Sequence, residues 1–315
     1  MPTAKRIKLS YRESAVGGEV KAIPFVSDTA ALASAQHIVL LIHGYNNDTE
    51  AAQEAYEGFH RRQGELGADA RYGLGRTFVE LYWPGDGDWG IASFLFYMKS
   101  IQHAIQTAES LASFLASNAA GASRIDIVAH SMGCRLAFEL MRALKAQPSA
   151  PAVGRIVFMA GAVPTFMLES QKPPRRLRPA YDRVLREGAR SLYSGSDMVL
   201  AYAFPAGQSL GQGEEGAYPT ALGHERWVDA TVPLNLGQQE NPGAGHSDYW
   251  GWNAKPKPLQ RATRAATEIR DYLQFASTGP RAIADRPLEE RDAIEAREQT
   301  NAREQIAREI VKWGD

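Results

Sequence analysis

The sequence has little of three features that would each indicate a particular class of protein. It contains one cysteine, Cys134, so no disulfide can form within the chain. The formal net charge is only -1, which argues against nucleic acid or an anionic membrane surface as the main partner. The strongest apolar runs, residues 37–42 and 91–98, are far too short to span a bilayer.

The amino terminus and the motifs that are missing narrow the prediction further. The first residues, MPTAKRIKLSYRES, are basic, but no apolar run follows them, so we expect no secretory signal and a cytoplasmic protein. The sequence has no H-E-x-x-H motif, one cysteine cannot build a thiolate zinc site, and no glycine-rich phosphate loop follows a predicted strand. We therefore predict neither a metal nor a cofactor.

What is present is an alternation of two periodicities. Continuous apolar runs such as residues 37–43 (HIVLLIH) are typical of strands buried on both faces of a parallel sheet. Residues 92–118 lack proline and glycine and carry apolar residues at helical spacing. The alternation predicts an α/β fold, a mostly parallel central sheet with helices on both faces. The predicted strands are 37–43, 77–83, 124–130, 154–160, 189–194 and a weaker one near 227–232, with one or two more within 5–26; the predicted helices are 92–118, 132–146 and 258–275.

Two segments fall outside this alternation. Residues 161–188 lie where such a fold inserts a lid, and we expect a short one. Residues 280–315 form a charged tail with apolar residues on one helical stripe. We favour a helix that packs back on the domain of residues 1–279; the alternative is a helix that docks on a second subunit and makes a homo-oligomer. The stripe consists of Ala302, Ile306, Ile310 and Trp313.

The most informative motif is Ala-His-Ser-Met-Gly at residues 129–133, between a predicted strand and a predicted helix. It matches the G-x-S-x-G pattern with alanine in the first position. In that pattern a sharp strand-to-helix turn exposes the serine, and small residues are needed because strand and helix approach closely. We predict that Ser131 is a nucleophile and that the N–H of Met132 faces the oxyanion. The alternative is a serine that only caps the helix.

A second loop, His-Gly-Tyr-Asn-Asn at residues 43–47, directly follows the buried strand. Acyl transfer needs a second oxyanion donor from a neighbouring strand end. We predict that Gly44 lets the main chain bend and that the N–H of Tyr45 is this donor. His43 is expected to brace the loop by hydrogen bonds rather than to act as a base.

The order of the remaining residues indicates the base and the acid, because in this type of site the acid and then the histidine follow the serine. His246 lies in the glycine-containing loop after the last predicted strand, whereas His224 precedes that strand. Asp197 ends the strand 189–194 in a turn and is our first choice of acid, although it could also cap a helix. The rival acids are Asp229, the second choice, then Asp182 and Asp248.

Taken together, these motifs resemble a bacterial group of α/β-hydrolases that are described only as esterase- or lipase-like proteins. The resemblance spans about residues 35–275 and rests on four segments. It implies the α/β-hydrolase fold and a carboxylic-ester hydrolase with a Ser-His-Asp triad. Alanine in the first glycine position is the departure from the pattern, and the charged tail is not shared. The four segments are His43–Asn47, Ala129–Gly133, Ser194–Asp197 and Gly245–Ser247.

We therefore expect a small-molecule ester as the partner of this site. A thioesterase, an amidase or a peptidase could use the same triad. A binding module with a dead site, whose tail helix recruits a partner, is a third hypothesis.

Overall fold

The computed structural model describes residues 5–66, 73, 75–86, 93–169, 177–210, 219–228, 231–252 and 255–275. The tail of residues 280–315 and the predicted stripe on it therefore lie outside the described residues. Within the described part of the chain, no helix is both long and apolar enough to cross a membrane.

Eight strands form one sheet, in the order β2-β1-β4-β3-β5-β6-β7-β8. All neighbouring strands are parallel except the pair β1 and β2 at one edge. The mostly parallel sheet is confirmed. The strands are β1 Lys5–Arg12, β2 Val20–Val26, β3 His37–Ile42, β4 Thr77–Tyr82, β5 Arg124–His130, β6 Ala152–Met159, β7 Leu185–Tyr193 and β8 Leu236–Glu240.

The helices cover both faces of the sheet, and β3 shows why its sequence is apolar throughout. Ile38, Leu40 and Ile42 belong to one buried cluster, whereas Val39 and Leu41 belong to a second cluster on the opposite face. Helices α1, α3, α4 and α6 contribute to the first cluster, and α2 and α8 to the second. The helices are α1 Thr29–Ala33, α2 Thr49–Leu66, α3 Ser93–Asn118, α4 Met132–Leu144, α5 Phe166–Glu169, α6 Arg178–Val184, α7 Phe204–Leu210 and α8 Pro256–Leu273, with a π-helical turn at Val199–Ala203.

One predicted strand was wrong. The described residues near 227–232 are not a strand, and β8 is instead Leu236–Glu240. Trp227 and Val232 pack against the core as partly buried loop residues, which explains their apolar pattern. β8 is an edge strand, so most of its polar sequence LGQQE stays partly exposed.

The described part of the predicted lid, residues 161–188, is largely core structure. Ala180 and Tyr181 of α6 are buried, and α6 packs against α4. Of the described residues in this segment, Ala162 alone lines the cavity beside Ser131.

Candidate active site

Ser131 sits in a sharp turn between β5, which ends at His130, and α4, which begins at Met132. Its backbone has φ 53° and ψ -126°, a conformation that a residue with a side chain adopts only under strain. The close approach requires Gly133, because a Cβ there would overlap the main-chain oxygen of His43. Ala129 is fully buried beside this approach. The local structure agrees with the predicted elbow.

Hydrogen bonds to the neighbouring strand end hold this turn. The N–H of Ser131 donates to the oxygen of Met159 at 2.9 Å, and the N–H of Ala162 donates to the oxygen of Ser131 at 3.1 Å. The Ser131 side chain makes no cap hydrogen bond to α4. The alternative of a simple helix-capping serine is therefore not what the geometry shows.

The three residues proposed from chain order lie in hydrogen-bonding contact. Ser131 Oγ is 2.7 Å from His246 Nε2, and His246 Nδ1 is 2.8 Å from Asp197 Oδ2. A carboxylate only accepts hydrogen bonds, so Nδ1 carries the proton and Nε2 accepts from the serine hydroxyl. Asp197 is fully buried. This arrangement fits the removal of a proton from the hydroxyl.

Asp197 has two roles that the sequence presents as alternatives. Its Oδ2 accepts from His246, and its Oδ1 accepts from the main-chain N–H of Leu200 at 3.1 Å. The second bond fixes the carboxylate and also caps the turn that follows. Because the carboxylate of Asp197 is buried and accepts from both of these donors, it is held in an orientation that faces His246.

The rival carboxylates are engaged elsewhere or are not described. Asp182 pairs with Arg178 within α6 at 2.7 Å. Asp248 accepts from the N–H of Gly245 at 2.9 Å and from Arg261 of α8 at 2.9 Å, so it shapes the loop that carries His246. Asp229 lies outside the described residues.

The loop after β3 reaches the serine from the other side. A Cβ at Gly44 would lie 2.8 Å from Ser131 Cβ, so glycine is needed for this approach. Tyr45, Ser131 and Met132 line one cavity. The N–H of Met132 is in the first turn of α4, where main-chain donors have no acceptor within the helix and the helix dipole favours negative charge.

His43 braces this loop as expected. Its Nδ1 donates to the oxygen of Gly44 at 2.9 Å, its Nε2 accepts from the N–H of Trp83 at 3.3 Å, and its ring stacks on Trp83. Burial lowers the pKa of His43 to about 3, so the ring stays neutral and keeps both hydrogen bonds. It therefore holds main chain and does not exchange protons with the cavity.

A buried ion pair fixes the far side of the same loop. Arg12, at the end of β1, pairs with Asp86 at 2.6 Å, and both side chains are almost fully buried. Arg12 also donates to the oxygen of Asn47, and the N–H of Asn46 donates to the oxygen of Gly85 at 2.8 Å. The loop is thus tied to two neighbouring strand ends, which pre-organises the predicted donor.

His130 is a residue of the site to which sequence reasoning assigned no role. Its Nε2 lies 2.7 Å from the main-chain oxygen of His246, and its ring packs 5.1 Å from the His246 ring. Burial, and then the nearby His246, lower the pKa of His130 to about 3. In the sequence, His130 is marked only by its position next to Ser131. That position suggests a link to the nucleophile but does not reveal the contact with the loop that carries His246.

The cavity above Ser131 has a volume of about 360 Å³. Most of its lining is apolar. The described tryptophans nearby do not line it: Trp83 and Trp250 are buried in the core, and Trp252 is exposed outside the lining. The lining residues are Tyr45, Asn46, Ser131, Met132, Ala162, Val199, Leu200, Ala203, Phe204 and His246.

The single cysteine takes no part in this cavity. Cys134 is fully buried in α4, and burial raises the pKa of its thiol well above the ordinary value. Among the described residues, no group of three His, Cys, Asp or Glu side chains is arranged as metal ligands would be.

Comparison with known proteins gives distant likenesses. A gene product of Listeria innocua is 12% identical with a TM-score of 0.40, over 77% of this chain and 96% of that one. Esterase B from Lactobacillus Rhamnosis (HN001) is 12% identical with a TM-score of 0.36, over 76% and 79%. Lipase B from Aspergillus fumigatus is 10% identical with a TM-score of 0.38, over 82% and 57%. No curated protein matches the sequence.

The family comparison covers less than half of the chain. It includes the loop at 43–47 and Ser131 but not Asp197 or His246. The chain has the α/β-hydrolase fold, and its residues 26–171 match a family described as an alpha/beta hydrolase of unknown function (DUF900).

Proposed function

We propose that this protein is a serine hydrolase that cleaves carboxylic esters through an acyl-enzyme. The observation that carries the proposal is the pair of hydrogen bonds from Ser131 to His246 and from His246 to Asp197, at 2.7 Å and 2.8 Å. The match to a hydrolase family over residues 26–171 supports it.

In the proposed reaction, Ser131 Oγ attacks the acyl carbon while His246 Nε2 takes the hydroxyl proton. Asp197 holds the imidazole in the tautomer that accepts this proton and stabilises the imidazolium. The N–H groups of Met132 and Tyr45 stabilise the oxyanion of the tetrahedral intermediate. His246 then gives the proton to the departing alcohol, and water releases the acid by the same steps in reverse.

The thioesterase, amidase and peptidase hypotheses require the same fold, so the preferred substrate is what distinguishes them from an esterase. A thioesterase, an amidase or a peptidase would use the same serine and histidine. The complete hydrogen-bond network and the strained serine speak against a binding module, because strain of this kind is kept where a reaction uses it.

The test is hydrolysis of nitrophenyl esters of graded chain length, measured beside matched thioesters and anilides. We expect the ester to be the preferred class and Ser131→Ala to lower kcat by several orders of magnitude, up to on the order of 10⁶-fold. A preference for a thioester or an anilide would agree with the proposed triad but would assign a different substrate class. Unchanged ester hydrolysis in Ser131→Ala would exclude the proposed nucleophile.

A further inference from the structure

The wall of the cavity beside Ser131 is built from the chain that directly follows the proposed acid. After Asp197 the chain forms the π-helical turn Val199–Ala203, which the N–H of Phe204 closes by donating to the oxygen of Val199. Asp197 Oδ1 caps this turn through the N–H of Leu200. Wide turns of this type are rare and often occur at functional sites. The wall is therefore joined directly to the acid, by sequence and by this hydrogen bond.

The chemistry of the wall is that of a hydrocarbon surface. The turn and the residue after it contribute Val199, Leu200, Ala203 and Phe204 to the lining, and Met132 and Ala162 add to it. Among the described lining residues, His246 is the only one with an ionisable imidazole, carboxyl, amine or guanidinium group. A charged substrate group would lose water here without gaining an ionic partner from these residues, which is costly.

The size of the cavity limits what it can hold. A volume of about 360 Å³ is near the lower end of the range for small-molecule sites, which is about 300–1,000 Å³. A short to medium alkyl chain fits this volume, and a long lipid chain would have to leave it.

We infer that Val199, Leu200, Ala203 and Phe204 form a hydrocarbon-binding subsite that limits the length of one uncharged alkyl group of the substrate. The inference rests on the proposed ester hydrolysis and adds a substrate class to it, short- to medium-chain uncharged esters. The alkyl group can belong to the acyl side or to the alcohol side of the ester, since both meet at Ser131.

Ala203 offers a direct test because it is exposed within the cavity lining. Ala203→Phe places a larger side chain inside the cavity and so reduces its free volume, without removing a buried side chain from the core. Tyr202 is the matched control: it lies in the same turn, is 63% exposed and is not among the lining residues. Tyr202→Ala therefore changes the turn and leaves the cavity lining unaltered.

The experiment measures kcat/KM for wild type, Ala203→Phe and Tyr202→Ala with two series of esters. One series varies the acyl group from acetate through octanoate to palmitate with nitrophenol as the alcohol, and the other varies the alcohol with acetate as the acid. In one of the two series we expect Ala203→Phe to lower the ratio of kcat/KM for the eight-carbon ester to kcat/KM for the shortest ester by at least about tenfold. Tyr202→Ala should leave that ratio unchanged, and palmitate should be the poorest acyl substrate of the wild type.

The possible results distinguish a failure of the proposed ester hydrolysis from a failure of the proposed subsite. If wild type hydrolyses no ester and an alkyl phosphonate does not label Ser131, the proposed function fails. If ester hydrolysis and labelling persist but Ala203→Phe leaves the chain-length ratios of both series unchanged, or lowers all members equally, the subsite is wrong and the proposed function stands. A wild-type preference for palmitate or for a charged ester would also overturn the subsite.

Discussion

His130 Nε2 donates a hydrogen bond across 2.7 Å to the main-chain oxygen of His246. The residue before the proposed nucleophile therefore holds the loop that carries the proposed base. Since His130 is buried and its pKa is lowered to about 3, its ring stays neutral and keeps this hydrogen bond while His246 changes charge during a reaction. The end of β5 at His130 and the turn at Ser131 thus position both partners of the proton transfer.

Replacement of His130 tests this relationship. We expect His130→Leu to lower kcat by about 10- to 100-fold with a smaller change in KM, because a displacement of the base by about an ångström has a cost of that order. His130→Gln, which keeps an N–H donor, should retain more of the activity. The measurement is steady-state kinetics on the best ester, with thermal unfolding of each variant. Equal losses in the two variants at matched stability would show that the hydrogen bond does not matter.

Asp197 and Asp248 form a matched pair of carboxylates around the same histidine loop. Asp197→Asn should lower kcat by on the order of 10⁴-fold, because an amide no longer selects the tautomer that accepts the serine proton. Asp248 accepts from Gly245 and Arg261, whereas the two ring nitrogens of His246 bond to Asp197 and Ser131. Asp248→Asn should lower the free energy of unfolding by about 1–3 kcal/mol and leave most of the activity. The reverse ranking in kinetics would assign the acid to Asp248.

Buried histidines predict how stability depends on pH. Burial lowers the pKa of His43 and of His130 to about 3 from the ordinary 6.5, so below pH 6.5 the unfolded chain binds protons that the folded protein does not. Their stabilisation is fully present above pH 6.5 and is lost as the pH falls toward 3. Each histidine should lower the free energy of unfolding by up to about 1.4 kcal/mol per pH unit within this window.

Urea unfolding from about pH 7 to about pH 5 measures this slope in a range where carboxylates contribute little. We expect stability to fall across the range, and to fall less steeply in His130→Gln than in wild type. A slope that is the same in both proteins would mean that His130 is accessible to protons in the folded state.

Much of the fold follows from patterns that the sequence carries locally. Within the run at 37–43, residues 38–42 are all apolar because both faces of β3 are covered, and such a run is recognisable without knowing its neighbours. Ser131 is recognisable because the strand, the turn and the helix around it are consecutive in the chain. The chain order of serine, acid and histidine then selected Asp197 and His246 from their rivals. The structure places His246 in hydrogen-bonding contact with Ser131, and Asp197 in contact with His246.

The features that could not be predicted depend on contacts between distant segments. β8 is an edge strand with a polar sequence, so periodicity favoured the apolar loop near 227–232 instead. The role of His130 depends on a main-chain oxygen 116 residues away. The cavity wall depends on a π-helical turn that Asp197 caps, and from sequence alone Asp197 could be either an acid or a cap.

The most direct test of the central account is covalent labelling of the intact protein with an alkyl fluorophosphonate, followed by peptide mass spectrometry. The account predicts one modified residue, Ser131, with labelling at least about 10³-fold slower in Asp197→Asn because the serine is then not activated. Ser131→Ala should take up no label, and ester hydrolysis in wild type should be lost in step with labelling. Full labelling of another residue with loss of activity, or full activity in protein labelled at Ser131, would contradict the account.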